Sequence, residues 1–216
     1  MATAHDHYRK GNELRSAGRD LDALREYNRA VKADPDFFLA KKCASFLRSH
    51  LERKFISFGR LYESEGNIAE ACEEYGRALK VNSRCWRAHK YLGTLLAKSG
   101  QLDKAVLHLR QAVDISSDNA LLHFLLGTLF DAREEHKAAL DSYKKAVALD
   151  PHNKRYAKYA LASQKILSVL ETSDSQTISP FIALDIASLY LEKNMPDVAI
   201  TVLKRSVSKY PSDQGI

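Results

Sequence analysis

Side chains that recognise carboxylate groups are concentrated near the start of this sequence. The stretch HYRKGNELRSAGR at residues 7–19 brings Arg9, Lys10, Asn12 and Arg15 close together. The fork of an arginine guanidinium binds a carboxylate with two hydrogen bonds, so these residue types indicate an acidic partner. Residues 1–110 carry 21 Lys/Arg against 14 Asp/Glu, a net charge of +7, whereas residues 111–216 carry 12 against 13, a net charge of −1. The positive half of the chain should therefore attract acidic molecules.

Catalytic and metal-binding chemistry has little support in the sequence. Cys43, Cys72 and Cys85 are odd in number and form no CxxC pair, which argues against a disulfide framework or a structural zinc site. No Ser-His-Asp or Cys-His spacing, phosphate loop or carboxylate pair stands out. We therefore predict a protein that is not an enzyme and binds no cofactor. The cysteine usage and the lack of a signal sequence or membrane span predict a cytoplasmic location, with the nucleus as the alternative.

A repeat of 34 residues organises most of the chain. The segments at 55–83, 89–117 and 123–151 each begin 34 residues after the previous one. The same positions recur as Gly59, Gly93 and Gly127, as Ala71, Ala105 and Ala139, as Tyr75, Leu109 and Tyr143, and as Ala78, Ala112 and Ala146. The first 37 residues follow the same frame, and a weaker copy covers 183–211. Apolar residues recur at helical spacing in two segments of each copy, which predicts two helices per repeat.

This pattern closely resembles that of the tetratricopeptide repeat (TPR) family, and the five copies cover about four-fifths of the chain. The resemblance implies an all-α fold, a right-handed α-solenoid of antiparallel helix pairs, with residues 1–216 as a single domain. We place the repeats at about 4–37, 52–85, 86–119, 120–153 and 180–213. The recurring Gly and Ala let paired helices approach closely, the aromatic or Leu residue fills the gap beside them, and stacking of the pairs buries the core.

Three histidines fall at the fourth position of their repeats, namely His7, His89 and His123. The family places a packing residue there, so we predict that these rings lie between helices. Equivalent positions on stacked helices are roughly 8–10 Å apart, which is too far for ligands of one ion. We therefore predict no metal site.

Two segments interrupt the repeat. Residues 38–51 contain no Gly, Pro or Asn, and their large apolar residues are spaced for a helix face: Phe38, Leu39, Phe46, Leu47 and Leu51. They predict one long helix from about 36 to 64, with a separate extra helix as the alternative. Residues 154–171 predict a single unpaired helix, followed by a polar loop at 172–179.

TPR arrays resemble one another in presenting the first helices of their repeats as a concave groove for peptides. In the first three repeats, the groove positions are mainly basic or polar, with partner-binding candidates Tyr8, Arg9, Asn12, Arg15, Arg53, Arg60, Arg87, Lys90, Tyr91 and Lys98. In the fourth repeat they are apolar, with candidates Leu121, Phe124 and Leu125. We predict a groove that is basic at its N-terminal end and apolar at its C-terminal end, for a partner with acidic and apolar residues. The alternative is a merely solvated basic face, with Phe124 buried beneath the extra helix.

The functional prediction is a non-catalytic scaffold that binds a partner peptide or subunit, in a larger complex or alone, without membrane insertion. A co-chaperone that docks acidic chaperone tails is one alternative. The family's carboxylate clamp uses five polar groups, of which Asn12 matches and Arg87 can replace one lysine, whereas Tyr8, Ser57 and Tyr91 depart from the pattern. RNA binding through the basic half is another alternative. It is the weaker prediction because stacking aromatics are not interleaved with the basic residues.

Overall fold

The structure, a computed structural model, describes residues 2–172 and 179–209. Within these ranges the chain forms eleven α-helices and no strand: α1 (Ala4–Ser16), α2 (Asp20–Ala33), α3 (Phe38–Ser64), α4 (Ile68–Val81), α5 (Trp86–Lys98), α6 (Leu102–Ile115), α7 (Ala120–Ala132), α8 (His136–Leu149), α9 (Lys154–Thr172), α10 (Pro180–Glu192) and α11 (Pro196–Lys209). The predicted all-α fold is therefore confirmed. None of these helices combines the length and apolar content that crossing a membrane requires.

Local signals in the sequence set the helix boundaries. Helix α1 begins with a capping box, in which Thr3 Oγ1 accepts from the Asp6 amide and Asp6 Oδ2 accepts from the Thr3 amide. Helix α10 begins after Ser179, whose hydroxyl accepts from the Ile182 amide. The turns that follow α1, α3 and α5 contain Gly18, Gly66 and Gly100 at φ +72°, +80° and +78°. Glycine adopts this left-handed conformation without strain, which lets the chain reverse into the second helix of each pair.

The chain divides into two compact units, Met1–Leu95 and Leu96–Ile216. In the first unit, α1 pairs with α2, and α3 pairs with α4. A tyrosine of the second helix lies against a glycine of the first in both pairs. A Cβ atom added at Gly11 would lie 2.6 Å from Tyr27 Cε1, and one added at Gly59 would lie 2.5 Å from Tyr75 Cε1. The recurring glycine therefore provides the close approach that the repeat pattern predicts.

Helix α3 runs without a break through residues 38–64, so residues 38–51 extend the first helix of the second repeat. Its N-terminal half contacts the first repeat, where Arg48 Nη2 donates to Asn28 Oδ1 at 3.1 Å. Its C-terminal half contacts α4, where the Tyr75 hydroxyl donates to Glu63 Oε2 at 3.2 Å. At 1.5 Å per residue, the 14 added residues displace the first repeat from the second by about 21 Å along α3.

In the second unit, α7 pairs with α8, α9 packs on α8 and α10, and α10 pairs with α11. Leu109, Phe124 and Tyr143 belong to one apolar cluster of this unit, and Ile166, Ile186 and Tyr190 belong to another. The polar loop predicted at 172–179 lies almost entirely outside the described residues, as does the end of the fifth repeat at 210–213. The single helix predicted at 154–171 is α9, which lies against its neighbours instead of pairing with a second helix of its own.

Candidate functional site

Helix α1 holds four of the predicted partner-binding residues: Tyr8, Arg9, Asn12 and Arg15. The last three are exposed, whereas Tyr8 is half-buried. Asn12 Oδ1 accepts a hydrogen bond of 2.8 Å from the Tyr27 hydroxyl of α2, which fixes the orientation of the amide. The guanidinium of Arg15 lies over the ring of Phe46 in α3, 5.1 Å from its centroid. Helices α1 and α3 are therefore joined at this surface by a cation–π contact.

The cations of α3 and α5 in the first unit reach solvent. Arg53, Arg60 and Arg87 are exposed, and Lys90 is half-buried. The Arg87 guanidinium carbon lies 4.7 Å from the Trp86 ring centroid, and Lys90 Nζ lies 4.1 Å from that of Tyr91. These contacts orient the two side chains and leave their charges available to a ligand.

The two carboxylates of α3 bond to neighbouring helices and turns. Glu52 accepts from Asn82 Nδ2 at 2.7 Å and from the thiol of Cys85 at 3.1 Å. Burial, together with the charge of Glu52, raises the pKa of the Cys85 thiol to about 12, so the thiol remains protonated. Glu63 accepts from the hydroxyl of Tyr75. The acidic residues of α3 are thus used for internal packing.

Charge in the first unit is divided between the first and second helices of its pairs. We call the residues of α1, α3 and α5 in this unit, 4–16, 38–64 and 86–95, the first-helix layer. This layer carries 11 Lys/Arg against 4 Asp/Glu, a net charge of +7. The second helices, α2 and α4, carry 5 against 6, a net charge of −1. The excess positive charge of the first unit therefore lies on one layer, which favours acidic ligands at that layer.

The second unit corrects the apolar end of the predicted groove. Phe124 is only 2% exposed, because α9 covers it: the centroids of Tyr156 and Tyr159 both lie 4.9 Å from its centroid. The guanidinium of Arg155 lies over the same ring at 4.8 Å. Phe124 is therefore a core residue, as the alternative interpretation of the sequence has it. The remaining candidates in this unit reach the surface to different degrees: Lys98 and Leu121 are exposed and Leu125 is half-buried.

The three repeat histidines lie at helix contacts. His89 and His123 are buried, and their Nε2 atoms lie 3.1 Å and 2.9 Å from the backbone carbonyl oxygens of Ser83 and Ser117. His7 Nδ1 lies 2.7 Å from Glu26 Oε2. Among residues 2–172 and 179–209, no group of three or more His, Cys, Asp or Glu side chains could hold a metal ion.

Sequence reasoning missed a buried charge pair in the second unit. Lys193 is fully buried, and its Nζ contacts Asp131 Oδ2 and lies 2.8 Å from Ser163 Oγ. The Tyr143 hydroxyl donates to the same Asp131 oxygen at 2.6 Å. The available signal was a single acid, Asp131, in the apolar sequence ALLHFLLGTLFDA of α7.

Sequence reasoning also missed how the apolar residues of the α3 extension are distributed. Leu47 and Leu51 are buried, as a helix packed on its neighbours requires. Phe38, Leu39 and Phe46 are instead more than half exposed. The five residues do not form the single face that their spacing suggested, since α3 has one buried and one solvent-facing apolar side.

Comparisons with known proteins agree with this arrangement of helix pairs. Sequence models described as "Tetratricopeptide repeat" match residues 56–120, 120–153 and 183–213. The chain belongs to the tetratricopeptide repeat family. It is 26% identical over 156 residues to anaphase-promoting complex subunit 3 of Schizosaccharomyces pombe, covering 72% of this chain and 21% of that protein.

Two further similarities concern proteins of other kinds. The chain is 26% identical over 149 residues to the probable UDP-N-acetylglucosamine–peptide N-acetylglucosaminyltransferase SPINDLY of Hordeum vulgare, covering 66% of this chain and 14% of that enzyme. The chain thus spans about a fifth or less of the length of these two relatives. The first TPR of Spaghetti (RPAP3), solved with the HSP90 peptide SRMEEVD, has a TM-score of 0.53 and 15% identity, covering 56% of this chain and 95% of that one. At this identity the likeness concerns the fold alone.

Proposed function

We propose that this chain is a non-catalytic protein-interaction module whose first unit binds an acidic segment of a partner protein on the first-helix layer. The observation that carries the proposal is the division of charge, +7 on the first-helix layer against −1 on α2 and α4. An arginine on each of the three helices α1, α3 and α5 is exposed, so guanidinium groups are available to carboxylates on every helix of the layer. Arginine binds carboxylates in a bidentate manner, which adds geometric specificity to the charge attraction.

The second unit contributes a smaller apolar surface to this proposal. With Phe124 in the core, Leu121 and Leu125 are the apolar candidates that remain accessible on α7. Arg155 covers Phe124 from α9, so a cation lies where the sequence predicted an aromatic contact. A ligand of this unit would therefore meet two leucines beside a positive charge.

Docking of chaperone tails is the weaker alternative for this chain. The Spaghetti domain binds an HSP90 peptide, but the clamp residues of this sequence match only in part. The 14-residue extension of α3 also adds about 21 Å of helix between the first repeat and the second. A short peptide tail that binds adjacent repeats would not reach both Asn12 and the second repeat.

Catalysis is not part of the proposal. SPINDLY, the enzyme compared above, is a probable N-acetylglucosaminyltransferase, and this chain covers only 14% of its length. The exposed arginines of the first-helix layer suit the binding of carboxylates and need no reacting group. We therefore assign the chain the role of a binding surface.

A charge-reversal experiment tests the proposal. The triple variant Arg53→Glu, Arg87→Glu, Lys90→Glu changes the first-helix layer, and the control Lys32→Glu, Lys80→Glu, Arg84→Glu applies the same change of charge to exposed residues elsewhere in the first unit. Affinity purification with quantitative mass spectrometry should show partners that are retained by the wild type and the control but lost by the first variant. Recovery of the same partners by all three proteins would contradict the proposal.

A further inference from the structure

Helix α3 exposes more large apolar surface than its role in the repeat requires. Five of its side chains are at least two-fifths exposed: Phe38 69%, Leu39 51%, Phe46 53%, Phe58 42% and Leu61 50%. Three of them lie in the extension at 38–51. The extension already packs on its neighbours through Ala40, Ala44, Leu47 and Leu51, which are all buried. The exposed Phe and Leu side chains are therefore additional to what the helix needs for packing, and exposed apolar surface beyond that need marks interaction sites.

Several of these residues lie on one line along α3. Leu39, Phe46, His50, Arg53, Ser57 and Leu61 follow one another at intervals of seven, four, three, four and four residues. This spacing keeps side chains on the same face of a helix. The line extends over 22 residues, which is about 33 Å at 1.5 Å per residue. We call these six residues the α3 ridge.

Positive charge surrounds the α3 ridge. Helix α3 carries six Lys/Arg and two Glu, a net charge of +4. Lys42, Lys54 and Arg60 lie within one turn of ridge residues and are exposed, as is Arg53 within the ridge. Both glutamates bond to residues outside α3, namely Glu52 to Asn82 and Cys85, and Glu63 to Tyr75. The surface that complements this ridge is an apolar stripe with acidic borders.

Phe46 has the features of an anchor for a partner. The Arg15 guanidinium covers its ring at 5.1 Å, and the His50 ring lies nearly parallel to it, with a centroid distance of 6.4 Å and an interplanar angle of 8°. The ring is thus oriented by two neighbours and remains 53% exposed. Preoriented aromatic side chains of this kind lose little conformational entropy when they bind.

The same details favour a protein partner over a nucleic acid. Sequence-tolerant base stacking uses successive aromatic rings along a groove, whereas Phe46 is the one Phe, Tyr or Trp of the α3 ridge. Leu39 and Leu61 offer no ring for a base, yet they fit an apolar protein surface. The ridge positions Leu39, Phe46 and Arg53 are seven residues apart, a heptad interval that matches the spacing of contacts between two helices packed along their length.

We propose that the α3 ridge docks an amphipathic helix of a partner protein, with apolar residues at heptad spacing and Asp or Glu residues on both sides of them. This inference rests on the proposed function, since it specifies the form of the acidic partner and the helix of the first-helix layer on which it lies. The partner helix runs along α3, with its apolar stripe on Leu39 and Phe46 and its carboxylates beside Lys42, Arg53 and Lys54.

Binding of a synthetic peptide tests this inference. The probe is a fluorescein-labelled 28-residue helical peptide with Leu at heptad positions a and d and Glu at positions e and g, and its control has the same composition in scrambled order. Fluorescence anisotropy with the full chain should show binding of the probe at least 10-fold tighter than of the scrambled peptide. The variant Leu39→Ser, Phe46→Ser should weaken probe binding by at least 10-fold.

The matched control variant is Leu21→Ser, Ile68→Ser, which removes exposed apolar residues from α2 and α4. It should leave the dissociation constant within about 2-fold of that of the wild type, which is a change in binding free energy smaller than RT. All four substituted side chains are at least 40% exposed, so both variants should keep the circular dichroism spectrum and the thermal midpoint of the wild type.

Several results would overturn the inference. One is probe binding that is unaffected in the Leu39→Ser, Phe46→Ser variant or equal for the scrambled peptide. Another is loss of binding to a single-stranded RNA oligonucleotide, or to vesicles of phosphatidylserine and phosphatidylcholine, in that variant while the helical probe does not bind. If partner capture depends on Arg53, Arg87 and Lys90 but the helical probe fails these criteria, the proposed function stands and the inference about the α3 ridge is wrong.

Discussion

At the scale of single residues, the contact between a first-helix glycine and a second-helix tyrosine sets how closely each pair packs. Tyr27, Tyr75 and Tyr143 are fully buried, and each ring occupies the space that a Cβ atom would take at Gly11, Gly59 or Gly127. Such a ring has no room to move, because protein interiors are packed as densely as crystals of small molecules. The glycine positions therefore set the distance between the two helices of each pair.

Replacement of one of these glycines should destabilise the protein. We expect Gly59→Ala to lower the free energy of unfolding by about 1–3 kcal/mol, since the added methyl group would lie 2.5 Å from a buried ring carbon. The control is Gly76→Ala in α4, where nothing lies within 4 Å of the added atom. That substitution should raise the free energy of unfolding by about 0.5–1 kcal/mol, because alanine favours the helix. Urea denaturation measures both changes, and a neutral Gly59→Ala variant would contradict this account of the packing.

His136 should make the stability of the second unit depend on pH. Burial lowers its pKa below the usual 6.5, although the charges of Asp131 and Glu134 act in the opposite direction and that of Lys193 adds to the lowering. The neutral ring lies 3.1 Å from the Tyr190 hydroxyl through Nδ1. Because the unfolded chain binds the proton more readily, the contribution to stability is fully present above pH 6.5 and is lost as the pH falls through the lower pKa of the folded state.

We expect the part of the pH dependence that His136 causes to disappear when this residue is replaced. Thermal unfolding measured between pH 7.5 and 5 should show a smaller loss of stability for His136→Asn than for the wild type. The exposed His152→Asn variant should behave as the wild type does. An equal loss in all three proteins would assign the pH dependence to other groups.

At the scale of helices, the buried pair of Lys193 and Asp131 joins four elements of the second unit. Asp131 lies in the last turn of α7, and Lys193 follows α10 directly. Tyr143 belongs to α8 and Ser163 to α9. The pair links the C-terminal helices to the α7–α8 pair at a site without solvent. A charge that loses its partner in such a place is strongly destabilising.

Removal of the lysine charge should therefore destabilise the second unit. We expect Lys193→Met to lower the free energy of unfolding by about 3–5 kcal/mol, because Asp131 would keep a buried charge without a cation. The double variant Lys193→Met, Asp131→Asn should recover a large part of this loss, since the amide oxygen can still accept from the Tyr143 hydroxyl. Chemical denaturation of the double-mutant cycle measures the coupling. A single variant that loses less than about 1 kcal/mol would contradict the role of the pair.

The helices themselves follow from local sequence signals, whereas their contacts depend on distant residues. Residues 38–51 have the composition of a helix, and α3 includes them. Which of their apolar side chains are buried depends on where α2 and α4 lie, and periodicity alone did not separate Leu47 from Phe46. The burial of Phe124 depends on α9, more than 30 residues later, and the Asp131–Lys193 pair spans 62 residues. No local pattern encodes such separations, which is why part of the candidate site was corrected by the structure.

At the scale of the whole molecule, the distribution of charge distinguishes the two units. Residues 1–95 carry 18 Lys/Arg against 13 Asp/Glu, a net charge of +5, and residues 96–216 carry 15 against 14, a net charge of +1. The charge asymmetry is visible in the sequence, but its position on the first helices depends on the pairing. A net positive layer of this kind accelerates encounters with acidic partners and loses its long-range effect as salt screens it.

The central claim is that partners contact the first-helix layer of the first unit, and site-specific photo-crosslinking tests it most directly. A photoreactive phenylalanine derivative is placed at Ser57 in α3 or at Glu70 in α4, which are both exposed. We predict crosslinks to a partner protein from position 57, identified by mass spectrometry at an acidic segment of that partner, and few or none from position 70. Equal crosslinking from both positions, or crosslinking from position 70 alone, would contradict the claim.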